Sequence, residues 1–402
     1  GGSSFLVWQA VSWLLGLLDL PVLLLALLAS LSDVRLGNSG FGDVKTSDHV
    51  LESLLDAIRH EDPARLDEKT QLNKVTITED SGNSMWSRLV DFGGGIKTCR
   101  GSFRSPLAQY FPRESQMAHF TLIGPSKSSC NDKEEGGSVY VIMLPGFGEA
   151  FDFPRNIMAR YLAARYGWTS IILTAPYTSV RKPDGKLFCM FESSSDIVLM
   201  AQGMVQEAAA LVRHYLDRKN SEKKNLVCIS GFSLGAGIGC AACALAMLSG
   251  NLDASRLAYV SFAPQGDAAA FINNGSLAAT AVNWEAFREH EYQTTEQIQQ
   301  KVLLSFQKFQ RGLYVALSKL ENDQGNLRKS IGAVRSITMA HDRIVPPKYL
   351  HTFRKAMCRL SKDPSKNVVE KWMPGGHVFG FFLRPYYELK NIVEGVDQLQ
   401  MT

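Results

Sequence analysis

Residues 225–248 read NLVCISGFSLGAGIGCAACALAML. The opening run, Leu226–Ser230, is short and apolar, the pattern of a strand buried on both faces. Leu234–Leu248 has the length of a helix and is rich in small residues, Ala236, Gly237 and Gly239 among them. Between them stands Gly231-Phe232-Ser233-Leu234-Gly235, a G-x-S-x-G. A serine on a sharp strand-to-helix turn has its Oγ lifted clear of the sheet. Such a turn is crowded, so the positions two before and two after it must lack a side chain. Gly231 and Gly235 meet that need. The free N–H groups opening the helix then face any negative charge that develops beside the serine. Chance gives this pattern in about one chain in five of this kind, so the weight rests on its context between strand and helix.

Outward from this turn the chain alternates strands and helices. Upstream lie the apolar run Ser138–Leu144, a helix near Pro154–Tyr166, a strand Thr169–Ala175 and a long helix from Ser195 to Asp217. Downstream lie strands Leu257–Ala263, Val334–Ala340 and Val368–Trp372, a helix near Tyr349–Leu360 and a last helix. Gly101–Tyr110 and Met117–Ile123 read as two early strands, and Asp48–Ile58 has helical spacing. The alternation predicts an α/β fold with a mostly parallel twisted sheet flanked by helices. With the serine turn in place, the expectation is an α/β-hydrolase fold. Residues 265–330 break the rhythm with amphipathic helical sequence. Phe271, Leu277, Trp284, Phe287, Val302, Leu303, Phe306 and Phe309 supply apolar faces there, either for self-burial or for a hydrophobic lid over a ligand. The expected division is 1–36 hydrophobic segment, 37–98 helical and loop region, 99–264 core, 265–330 helical lid insertion and 331–402 core.

A serine hydroxyl needs a base, and the base needs a carboxylate to hold it. In α/β hydrolases the chain order is serine, acid, histidine. Of eight histidines, His377 follows a strand in Met373-Pro374-Gly375-Gly376-His377, where the glycines make a turn able to aim the ring back at Ser233. Asp342 leaves the preceding strand and is the expected acid, with Asp267 as the competitor. His341, beside it, reads as structural or lid-contacting. The first oxyanion donor is expected to be the amide of Leu234. The second is expected from Leu144-Pro145-Gly146-Phe147-Gly148, at Phe147 or alternatively Gly148. Arg181 and Lys182 follow a core strand on the ligand-binding side of such sheets. They could grip a phosphate head group, or be solvated loop charges or ion pairs with Asp184 or Asp196.

Composition narrows the function further. The chain has 402 residues, 45% hydrophobic and 20% charged, with a net charge of +4. That excludes wholesale disorder and gives no basis for nucleic-acid binding. Seven cysteines in a chain this long do not make a disulfide framework. Cys240 and Cys243 read as small residues packed in a helix. No paired C-x-x-C, H-E-x-x-H or Walker loop is present, so the common zinc and nucleotide readings lack support, and the chemistry expected here requires no metal or organic cofactor.

Phe5–Leu31 is the anomaly: one charge, Asp19, and twelve leucines. As a helix it would run about 40 Å, enough for a hydrocarbon core about 30 Å thick. A central Asp costs about 3 kcal/mol, while twelve leucines at about −0.5 return about −6, so membrane insertion is favoured. Pro21 would kink or divide the helix, which leaves an in-plane anchor open beside a span. A cleaved leader and a helix packed on the core are the other readings.

These residues resemble a known family, the α/β hydrolase domain-containing protein 18 family of serine hydrolases. The resemblance runs from about Cys99 to about Phe382. It rests on Gly101-x-Phe103-x-Ser105-Pro106 with Tyr110 and Pro112, on Glu114-Ser115 and on Gly146-x-Gly148. Met158-Ala159-Arg160 extends it, as do Pro176-Tyr177 followed by Arg181-Lys182-Pro183, then Ser195-Asp196, Glu207 and Asn283-Trp284. Gly375-Gly376-His377 completes it. The chain departs at Thr174-Ala175, where the family has Glu-Asn, at Thr178 and Ser179, and at Ala236. By position Ser233, Asp342 and His377 match the family's triad. The resemblance implies a membrane-associated hydrolase acting on acyl esters of phospholipids. Acyl transfer on the same triad, and a non-catalytic scaffold binding a membrane partner, are the alternatives.

Overall fold

A computed structural model describes residues 41–60, 75–79, 95–126, 138–147, 149, 152–184, 193–217, 224–249, 252–265, 284–291, 294–320 and 329–401. The segment 5–31, Asp267, Gly148, Phe271, Leu277 and Asn283 lie outside these residues. Among the described residues no helix is long and apolar enough to cross a membrane.

The described strands form one sheet: β1 Thr76–Glu79, β2 Ile96–Arg104, β3 Met117–Pro125, β4 Val139–Leu144, β5 Thr169–Leu173, β6 Leu226–Phe232, β7 Leu257–Phe262, β8 Ala333–Met339 and β9 Val368–Met373. Their order is β1-β2-β3-β5-β4-β6-β7-β8-β9. The first three pair antiparallel, and β3 meets β5 antiparallel. From β5 to β9 every pairing is parallel. The described α-helices of eight residues or more are α1 Val44–Arg59, α2 Phe153–Tyr166, α3 Ser194–Asp217, α4 Leu234–Leu248, α5 Trp284–Glu291, α6 Thr295–Ser318, α7 His351–Cys358 and α8 His377–Met401.

The central strands are apolar throughout because both faces are covered. In β4, Tyr140, Ile142 and Leu144 point into a core with Met204, Ala208 and Leu211 of α3 and Ile238 and Ala242 of α4. Val139, Val141 and Met143 point the other way, onto Met158 and Leu162 of α2 and Ile392 and Val396 of α8. This is the two-residue alternation of a strand read on two sides.

Three expectations shift. The early strand begins at Ile96 and ends at Arg104, not Tyr110. Ser105-Pro106 stops it, and Ala108–Tyr110 forms a turn of 3-10 helix. The edge strand β1, only four residues long, carries no apolar signal strong enough to announce it. It and the first residues of β2 belong to the sheet, so the core extends upstream of residue 99.

The strand order reverses beside β4. From β4 the chain goes to β5 on one side, and from β6 onward it goes to the other. The loops leaving the carboxyl ends of β4 and β6 therefore part there, which is where ligands bind in open α/β sheets. Leu144 at the end of β4 is paired with Gly231 of β6, so the loop after one strand adjoins the turn after the other.

Candidate active site

Ser233 occupies the one-residue break between β6 and α4. Its φ is 55° and its ψ −119°, a conformation that costs a non-glycine residue roughly 1–3 kcal/mol. The surroundings hold it there. Its amide donates to the Phe262 carbonyl at 3.0 Å, and its own carbonyl accepts from Ala236 and Gln265 at 3.1 Å each. A Cβ on Gly231 would lie 2.2 Å from the Gly235 carbonyl oxygen, and one on Gly235 would lie 2.4 Å from that of Pro145. The two glycines are therefore a steric requirement of the turn. The amide of Leu234, first in α4, has no acceptor within its own helix.

The acid and the histidine come from the two strands at the far side of the sheet. Asp342 follows β8, and its Oδ1 accepts from the amides of Ile344 at 2.9 Å and Val345 at 2.6 Å. Its Oδ2 lies 2.6 Å from Nδ1 of His377. An ionised carboxylate only accepts, so Nδ1 carries the hydrogen and Nε2 is the acceptor atom of the neutral ring. The loops bearing the pair are stitched together: Ala340 donates to the Met373 carbonyl at 2.8 Å and His341 to that of Gly375 at 3.0 Å. Gly375 has φ 99°, which explains a glycine two residues before the histidine. His341 contributes to this stitch through its backbone. The His377 ring lies 4.8 Å, centroid to centroid, from that of Phe232, the residue before Ser233. Asp342 and His377, read separately from sequence, are thus brought together, with the imidazole packed on the residue before Ser233.

The loop after β4 holds a group that sequence reading missed. The Gly146 amide donates to Oε2 of Glu149 at 2.8 Å, so it is committed and is not an oxyanion donor. Phe147 is the next described amide. The Glu149 carboxylate also accepts from Arg155 Nε at 2.7 Å and from Arg384 Nη1 at 2.9 Å. Arg384 pairs with Glu388 at 2.6 Å, and Glu388 accepts from Ser230 Oγ at 2.6 Å. In sequence the central pair, Glu149 and Arg384, stands 235 positions apart.

Arg181 corrects an expectation. Its side chain is fully buried and forks onto Glu207, with Nη1 to Oε2 at 2.8 Å and Nη2 to Oε1 at 2.7 Å. The same nitrogens donate to the carbonyls of Thr174 and Ser115, both at 2.8 Å. A guanidinium spent in this way cannot also hold a phosphate, and its ion-pair partner is neither Asp184 nor Asp196. Asp196 instead accepts from the Tyr177 hydroxyl at 3.4 Å and the Ser193 amide at 2.9 Å. Lys182 is half-buried beside it. The Pro176–Arg181 block is therefore a structural latch between β5 and α3.

Cys240 and Cys243 are free and wholly buried. Burial pushes the Cys240 thiol up to about 12, a value unsuited to redox work at neutral pH. In the insertion, Phe287 of α5 and Ile298, Val302 and Leu303 of α6 bury themselves against Phe41. Trp284 is packed on that cluster, and the side chains of Phe306 and Phe309 lie outside the described residues.

Two solved structures share this architecture. Acetyl xylan esterase 1 from Thermoanaerobacterium sp. matches with a TM-score of 0.50 at 16% identity, over 91% of this chain and 96% of that one. An acetyl xylan esterase from Paenibacillus sp. R4 matches with a TM-score of 0.52 at 11% identity, over 85% and 94%. At such identities the likeness is one of fold. A sequence-family model reaches further, matching residues 38–398, which spans the sheet, the serine turn and the histidine helix. The chain belongs to the alpha/beta hydrolase domain containing 18 family.

Proposed function

We propose that the protein is a membrane-associated serine hydrolase that cleaves carboxylic acyl esters of lipids, phospholipids foremost. The observation that carries this is the 2.6 Å pairing of His377 Nδ1 with Asp342, its ring against Phe232, beside a serine at φ 55°. A buried carboxylate, a histidine it orients and a serine on a strained turn are what acyl transfer to serine needs.

In this reading Ser233 Oγ attacks the acyl carbonyl carbon while His377 Nε2 takes its proton. The tetrahedral oxyanion is held by the amides of Leu234 and Phe147, with the α4 dipole behind the first. The imidazolium, stabilised by Asp342, protonates the leaving alkoxide. Water, deprotonated by the same histidine, then releases the acid from the acyl-enzyme. The fold's likeness to two esterases supports an ester as the bond broken. Support for a lipid substrate comes from the apolar segment 5–31 and from Phe382 and Tyr386, 69% and 64% exposed one turn apart on the helix that His377 opens.

The test is labelling by a fluorophosphonate probe together with fatty-acid release from phospholipid vesicles. Wild type should label and release acid, and Ser233→Ala should do neither. A folded wild type that stays unlabelled, or a variant that labels equally, overturns the proposal.

A further inference from the structure

Four buried charged side chains lie between the loop after β4, the serine strand and the histidine helix. Glu149 is 3% exposed at its side chain and Arg155 4%, while Arg384 and Glu388 are fully buried. Two cations and two carboxylates balance, which is the condition for keeping such groups out of water. Each is tied to a different part of the site. Arg155 donates from Nη1 to the Leu173 carbonyl at the end of β5 at 2.8 Å. Glu388 accepts from Ser230, three residues before Ser233 on β6. Arg384 lies two turns beyond His377 on α8, its guanidinium carbon 4.9 Å from the Phe232 ring centroid.

Glu149 is where these ties converge on the oxyanion loop. Its carboxylate accepts from the Gly146 amide, and its own amide donates to the Gly146 carbonyl at 3.4 Å. The turn is thus closed twice by one residue, and Phe147 is inside it. Burial alone would raise the carboxyl's pKa, but the charges of Arg155 and Arg384 and the Gly146 amide outweigh it and hold the group ionised. An ionised acceptor binds an amide about twice as strongly as a neutral one.

We propose that Glu149 is a positioning residue that sets the 146–149 turn so that the Phe147 amide faces the developing oxyanion, with Arg384 coupling that turn to the histidine helix. The proposal rests on the hydrolase reading above. Glu149 touches no reacting atom. It acts by fixing the backbone next to one, and an oxyanion donor displaced by a fraction of an ångström is a donor weakened in the transition state alone.

The test compares wild type with Glu149→Gln and Glu149→Asp, using a soluble p-nitrophenyl ester and a trifluoromethyl ketone whose hydrate-like adduct mimics the oxyanion. The endpoint of fluorophosphonate labelling counts intact sites in each preparation. Gln removes the charge; Asp keeps the charge balance but is one methylene short of spanning Gly146 and both guanidinium groups. Per titrated site, kcat should fall about 10- to 100-fold, somewhat less than loss of a whole donor, with KM within about twofold. The ketone's inhibition constant should rise in the same proportion. A purely structural role would lower the number of titratable sites and leave kcat per site and ketone affinity unchanged, and that result in either variant overturns the proposal. Wild type that fails to label or turn over any ester would instead overturn the hydrolase reading, so the two failures are distinguishable.

Discussion

His377 directs Nδ1 at Oδ2 of Asp342 across 2.6 Å, while Oδ1 of the same carboxylate accepts the amides of Ile344 and Val345. The carboxylate is fixed by backbone before it fixes the ring. In Asp342→Asn the two amides still demand an acceptor, so the carboxamide oxygen must face them and its NH2 must face Nδ1. That forces the proton onto Nε2, the tautomer unable to take a proton from serine. We expect kcat to fall about 10³- to 10⁴-fold with the melting temperature near that of wild type. Initial rates and the rate of fluorophosphonate labelling check this, and an Asn variant within tenfold of wild type would refute it.

The Arg181–Glu207 pair gives a prediction about stability. Both side chains are fully buried, so removing one partner strands a charge. Arg181→Met should cost about 3–5 kcal/mol, and Arg181→Met/Glu207→Leu should recover much of that, because a buried pair exchanged for apolar groups is often near neutral. Urea midpoints of the three proteins decide it. A single variant as stable as wild type would show that the fork contributes nothing.

How much of this was legible follows from where each signal resides. The serine turn is a local pattern, and Leu234–Leu248 formed over the residues read for it. The strand before it runs on to Phe232, because pairing to β7 continues through Phe232 opposite Phe262 and the G-x-S glycine does not end it. Asp342 and His377 were legible because strand ends in an α/β sheet all open on one rim. Glu149 was not, since its meaning lies in Arg384, far along the chain. The true partner of Arg181 was not legible for the same reason: a loop arginine beside a strand end can be read as a ligand residue or as paired to a nearby acid until Glu207 is brought to it by α3. Local backbone geometry writes itself into sequence, and long-range charge pairing does not.

Acid should weaken the fold in two windows. Burial first, and the Arg181 charge second, hold the half-buried His119 below its ordinary pKa of 6.5, with Glu207 opposing them in part. The unfolded chain therefore takes up that proton before the folded one does, and stability falls as pH drops below about 6.5. Glu149 is held below its ordinary 4.5. Its contribution is full above that value and is lost as pH falls below it. Urea unfolding at pH 7.5, 6, 5 and 4 should show both declines, and His119→Gln should flatten the upper one. An unchanged slope between pH 7 and 5 in that variant would remove His119 from the account.

The same methyl group should have opposite effects at two glycines six residues apart. At Gly231 a Cβ would lie 2.2 Å from the Gly235 oxygen and 2.7 Å from the Ala236 nitrogen, both backbone atoms that cannot turn aside. At Gly237, within α4, the nearest atom is the Gln265 oxygen at 3.7 Å, an ordinary contact. Gly231→Ala should cost about 2–4 kcal/mol and distort the turn that carries Ser233, taking activity with it. Gly237→Ala should add about 0.5–1 kcal/mol by sparing the unfolded chain's glycine entropy inside a helix. Thermal unfolding and esterase rates of the two variants side by side measure this. Equal and opposite failure, with Gly231→Ala tolerated and Gly237→Ala damaging, would mean that steric crowding around Ser233 is not what holds its strained backbone.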